Sequence, residues 1–73
     1  MKSEFIMSLY EQLMGADKIE PQEKSIIDRS VGNIYREYLK NYQGKPPTLK
    51  NLYDDLMKQV NPEAHRIALA LGL

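Results

Sequence analysis

Few residues in this chain are of types and spacings that could do chemistry. The sequence has one histidine, His65, between Ala64 and Arg66. A lone His can serve as a general base or a metal ligand. Here no second His or Cys is present to complete a site, and Glu63 is too near in sequence to form a helical ligand pair with it. His65 therefore reads as an exposed helix residue. Asp54 and Asp55 are adjacent carboxylates. Neighbouring helix positions point about 100° apart, so the two do not converge on one metal or share one proton. Asp54 reads instead as the partner of Lys58, four residues on. Gly44-Lys45 before Pro46-Pro47-Thr48 has the outline of a phosphate-binding loop. Such a loop needs a run of free amides between a strand and a helix. The prolines remove amides where they are needed, so no nucleotide site is expected.

Two further groups suit binding better than catalysis. Five tyrosines, Tyr10, Tyr35, Tyr38, Tyr42 and Tyr53, are many for 73 residues. They could stack on bases. Four of them fall on or beside an apolar stripe, which suits packing at the core boundary with each hydroxyl reaching solvent. Arg29, Arg36 and Lys40 recur at seven- and four-residue steps, a single row on a helix, and Lys45 can extend it. A basic row can meet phosphates or an acidic partner, and an ordinary solvated face has the same form. Asp28 and Glu37 lie close enough to dilute its field.

The elements that must carry these groups are helical. Ten basic residues balance ten acidic ones, 42 % of residues are apolar and 27 % charged. That is the balance of a folded domain rather than a disordered tail. The length allows one small core and excludes a doubly wound sheet or a large substrate cleft. There are no cysteines, hence no disulfide framework and no Cys-based zinc site. No apolar run approaches the ~20 residues that span a bilayer. Met1-Lys2-Ser3-Glu4 leads directly into an amphipathic pattern, unlike a signal peptide. The balanced charge gives no strong field for steering nucleic acid.

The apolar period predicts four helices. The first covers residues 4–14, with Ser3 as N-cap, Gly15 as its stop, and Phe5, Ile6, Leu9, Tyr10 and Leu13 facing inward. After a short polar connection, Pro21 opens a second helix over residues 21–41, with an inner stripe of Ile27, Val31, Ile34, Tyr35 and Tyr38. Gly32 sits mid-helix on its outer side. Either a neighbouring backbone approaches there or a cost of about 1 kcal/mol is tolerated. Pro46-Pro47 forces the strongest break. Thr48 then caps a third helix over residues 49–60, with Leu49, Leu52, Tyr53, Leu56 and Val60 on one face. Asn61-Pro62 opens a fourth, striped by Ala64, Ile67, Ala68 and Leu71. The expected fold is all-α, a small four-helix bundle forming a single domain over residues 1–73. Leu69 and Leu73 fall off the fourth stripe, on the side that carries Arg66. With no polar tail after them, Arg66, Leu69 and Leu73 form a candidate partner surface, and the chain has the look of a domain cut from a longer one.

Three blocks carry a family resemblance: Lys2-Ser3-Glu4-Phe5-Ile6-Met7-Ser8-Leu9; Ile19-Glu20-Pro21-Gln22-Glu23-Lys24-Ser25-Ile26-Ile27-Asp28-Arg29 with Ile34-Tyr35; and Pro47-Thr48-Leu49-Lys50-Asn51-Leu52-Tyr53-Asp54-Asp55-Leu56, leading to Pro62-Glu63-Ala64 and Ile67-Ala68-Leu69-Ala70-Leu71. In order and spacing they resemble the helical segment inside the conjugative-transfer ATPases of type IV secretion machines, the VirB-type or TraE/TrsE-like proteins of plasmids and other mobile genetic elements. The chain departs from that pattern at Ser30, where Cys is more usual, and at Gly72, where a charged residue is more usual. The resemblance implies an accessory helical domain inserted in a RecA-like ATPase. It implies no catalytic residue, no cofactor-binding residue and no metal ligand in this segment, because ATP and magnesium would be held by motifs of the parent chain on either side. The implied partners are the remainder of that ATPase and other secretion components. The implied location is the cytoplasm, at the inner face of the cell membrane, without membrane insertion. The competing expectation is an independent small helical module that binds DNA or protein. Balanced charge and the lack of a helix-turn-helix joint with a basic second helix weigh against DNA.

Overall fold

A computed structural model describes residues 2–40 and 44–72. Among them are four α-helices, no strand, and one 3-10 turn at Ala16–Lys18. The helices are α1 (Ser3–Met14), α2 (Pro21–Lys40), α3 (Leu49–Lys58) and α4 (Pro62–Ala70). The all-α bundle read from the sequence is the observed architecture.

Local chemistry accounts for each boundary. Gly15 turns to a φ of 92°, beyond the comfortable range of residues with a Cβ, while its N–H closes on the Glu11 carbonyl at 2.8 Å. Pro21 starts α2, and the Glu20 carbonyl accepts from the amides of Glu23 and Lys24. Thr48 and Asn51 form a reciprocal capping box. The Asn51 amide donates to Thr48 Oγ1 at 3.4 Å, and the Thr48 amide donates to Asn51 Oδ1 at 2.7 Å. Asn61 supplies the carbonyl that receives the Ala64 and His65 amides, and Pro62 takes the first helical position.

α2 and α4 are the central pair, each touching all three other helices, while α1 and α3 lie apart on either side of them. The core is drawn from every helix: Ile6, Met7 and Tyr10 from α1; Ile26, Ile27, Val31 and Ile34 from α2; Leu52 and Leu56 from α3; Ala64, Ile67 and Ala68 from α4, closed by Leu71. Ala64 and Ala68 are fully buried. Their small side chains let the α4 backbone approach its neighbours, and the larger Leu and Ile residues fill the remaining space.

Several expectations need correction. Lys2, not Ser3, occupies the position before α1. The Ser3 hydroxyl donates across to Asp28 Oδ1, tying α1 to α2. The inner face of α1 is turned relative to expectation: Met7 is buried, while Phe5 and Leu13 are 58 % and 53 % exposed. The cause is that α2 packs on the Ser3 and Met7 side of the helix. α3 stops at Lys58, and Val60 is 92 % exposed rather than part of the inner face. Gln59 leaves the helix with extended backbone, and its side chain turns inward to the buried Ser30. The end of α2 expected at residue 41 falls outside the described residues. A Cβ on Gly32 would meet only Arg36 Nη1, at 3.6 Å. No backbone crowds that glycine, so its helical cost is simply tolerated.

Candidate functional site

The outer side of α4 is built by the helix period. Ala64, Ile67, Ala68 and Leu71 take the inner side, which leaves Leu69 nearly opposite, 66 % exposed. Leu73 lies outside the described residues. Arg66 extends from α4 to α2, where Nη2 donates to Glu23 Oε1 at 2.5 Å. It is the one ion pair within 4 Å among the described residues. Glu23 is 2 % exposed. A carboxylate that far from water needs a cation and hydrogen bonds to remain tolerable, and Arg66 supplies both.

The Tyr10 ring of α1 is also fully buried, contrary to the expectation that each tyrosine hydroxyl reaches solvent. Its hydroxyl lies beside the Glu23–Arg66 pair without making a hydrogen bond of full geometry. Burial disfavours the phenolate, and the Glu23 charge disfavours it further. The nearby Arg66 offsets part of this, and the net effect pushes the Tyr10 pKa up to about 12. The Glu23 charge also raises the Arg66 pKa, which burial only partly opposes. Tyr10, Glu23 and Arg66 thus join α1, α2 and α4 at one polar point. The guanidinium is fixed internally, and Leu69 is presented from a helix held on both sides.

A second polar point, at Gln59 just beyond the end of α3, ties that end to α2 and α4. Gln59 Nε2 donates to Ser30 Oγ at 2.6 Å, and His65 Nε2–H donates to the Gln59 carbonyl at 2.5 Å. His65 is half-buried and engaged, not the exposed residue expected. Among the described residues no group of three or more His, Cys, Asp or Glu side chains is arranged to hold a metal.

The basic row divides. Arg36 and Lys40 border an open depression of about 580 Å³ between α2 and α3, with Lys58 on its far side. Lys45 borders an adjoining depression of about 430 Å³, floored by Ile34, Tyr38 and Pro47. Arg29 lines neither. Glu37 and Asp55 border both depressions, and Asp54 borders the second of them. The Arg36 guanidinium donates to Asn33 Oδ1, and Asn33 Nδ2 donates to Asp55 Oδ2 at 3.3 Å. The expected Asp54–Lys58 pair does not form, although both side chains stand on the same groove. The result is a groove of alternating charge, not a basic strip. Tyr35 and Tyr38 meet edge to face at its end, centroids 6.2 Å apart, as packing neighbours rather than an open stacking platform. Tyr42 lies outside the described residues.

The Tyr10–Glu23–Arg66 group was hidden in the sequence because its members are far apart along the chain. The one available sign was a Glu on the α2 face that also carries Ile27, Ser30 and Ile34. No helix among the described residues is long and apolar enough to cross a membrane. Comparisons with protein-family models, with curated proteins and with solved structures each find no match.

Proposed function

We propose that the chain is a non-catalytic accessory helical domain of a conjugative DNA-transfer ATPase of the type IV secretion kind, acting through protein contact and mechanical coupling. The sequence support is the resemblance of the blocks at residues 2–9, 19–29 and 47–56. The physical support is the outer side of α4. Leu69 is a large apolar side chain that the bundle leaves in water, and exposed apolar residues rimmed by charge are a common form of protein contact. The Arg66–Glu23 pair and the buried stripe of α4 connect that side to α1 and α2. A load applied at Leu69 is therefore carried into the whole bundle.

In this reading the partner surface is Leu69 with Leu73, flanked by Arg66, and the partner is the body of the parent ATPase or a neighbouring secretion component. ATP and magnesium belong to that parent, which works in the cytoplasm at the inner face of the membrane. Arg36, Lys40 and Lys45, which border the groove between α2 and α3, form a secondary contact face of mixed charge that does not include Arg29. The deciding experiment is to sequence the coding region on both sides of this segment. A phosphate-binding loop encoded upstream in the same frame supports the proposal. A start codon at Met1 with a stop codon directly after Leu73 removes it.

A further inference from the structure

The exposed row on α1 is not explained by the proposed function, which uses α4. Phe5, Leu9 and Leu13 stand four residues apart and form one ridge along α1. Leu9 is partly buried against the core, and the residues on either side of it along the ridge are more than half exposed. The ridge is symmetric about Leu9. Phe5 and Leu13 lie about 6 Å of helix rise to each side. A two-fold axis at Leu9 would place Phe5 of one chain on Leu13 of the other, twice, as an isologous contact requires.

Charge selects the same arrangement. Lys2 stands at the N-terminal end of α1, where a cation opposes the helix dipole, and the last turn of α1 has no basic residue to complement its carbonyls. Lys2 and Asp17 are both exposed, and neither has a side-chain partner among the described residues. Antiparallel pairing about Leu9 brings Lys2 of one chain to Ala16 and Asp17 of the other, beside the uncomplemented helix end. Parallel pairing would instead set Lys2 on Lys2 and Glu4 on Glu4. We propose that α1 is a self-association face, through which two copies of this chain pair antiparallel about Leu9, with Phe5 against Leu13 and Lys2 against Asp17. One helix-on-helix contact buries less than the ~1,200 Å² of a standard stable interface. The dimer is accordingly weak and reversible, with a dissociation constant between about 10 µM and about 1 mM.

The test is sedimentation of the 73-residue chain across that concentration range, with mixed-label NMR at the top of it. The expected result is a concentration-dependent shift to dimer and intermolecular contacts between the Phe5 ring and the Leu13 methyls. Phe5→Glu and Leu13→Glu each weaken association at least about tenfold, with helical circular dichroism retained. Asp17→Lys weakens it, and adding Lys2→Glu restores it. Leu69→Ser leaves it unchanged, which separates this face from the α4 surface. A chain monomeric at about 1 mM overturns the proposal. So do Phe5–Phe5 contacts, a charge swap that fails to restore association, or association lost in Leu69→Ser and kept in Phe5→Glu. Should both Glu variants unfold, the ridge belongs to the core and the proposal equally fails.

Discussion

Truncating Leu52 to alanine removes three carbons from a side chain that no solvent reaches. The transfer term alone is about 2.4 kcal/mol, at roughly 0.8 kcal/mol for each carbon. A cavity term adds to it where the walls cannot collapse. Leu52 sits on α3, which packs on both central helices, so its walls belong to three helices and collapse poorly. The expected loss is about 3–5 kcal/mol. Ile34 is the informative contrast. It belongs to the core but also lines the floor of the groove between α2 and α3. Its truncation deepens a water-filled depression instead of opening a sealed void, and the expected loss is nearer 2 kcal/mol. A 73-residue domain has roughly 4–11 kcal/mol to lose at the usual stability per residue. Leu52→Ala should therefore lower the midpoint by about 12 °C or more, at about 4–8 °C per kcal/mol for a domain of this size. Urea and thermal melts of both variants measure this. Equal losses would show that Ile34 is sealed from the groove. Losses below about 1 kcal/mol in both would show that the core is misassigned.

Other outcomes follow from the same geometry. Gly32→Ala should stabilise the domain by about 0.5–1 kcal/mol in urea melts, because the new methyl meets only the end of Arg36; a loss of stability would mean that something else fills that space. The Tyr10 hydroxyl stays protonated in the fold up to about pH 12, so its stabilisation is complete below pH ~10 and is lost as pH rises from there through about 12. Phenolate absorbance should show a late titration that Tyr10→Phe abolishes, that Glu23→Gln moves down and that Arg66→Gln moves up; a Tyr10 titration insensitive to Glu23→Gln would dissolve the group. Chemical-shift titration with Mg-ATP should move no contiguous set of residues, since Pro46 and Pro47 remove amides that a phosphate cradle needs; a specific micromolar site would defeat this.

The four helices were legible because their signals are local. Apolar period, Gly15, Pro21, Pro46-Pro47, Thr48 and Asn61-Pro62 all act within a turn or two of where they stand, and the helix starts fall within a residue of expectation. The stripes of α2 and α4 were mostly legible for the same reason. The face of α1 was not. Its apolar residues cover more of the wheel than one neighbour can bury, and which flank packs was decided by α2 lying on the Met7 side. Val60 fits the wheel of α3, yet Gln59 leaves the helix to reach Ser30, an attraction across 29 residues that no local pattern carries. The Arg66–Glu23 pair spans 43 residues, and Tyr10 joins it from a third helix. Leu69 was legible as an outlier because α4 is short and its inner stripe is complete without it. An exposed apolar side chain was thus easier to read than the polar group around the buried Glu23.

The measurement that bears most directly on the proposed coupling role is a two-arm comparison of Leu69→Ser. In the isolated domain the substitution touches an exposed side chain, and urea melts should show a change below about 1 kcal/mol. In the longer ATPase chain that the proposed function requires, the same substitution should weaken docking of this domain and reduce DNA transfer. A stable isolated domain with impaired transfer is the predicted result; an unfolded isolated domain, or undiminished docking and transfer in the longer chain, would contradict it.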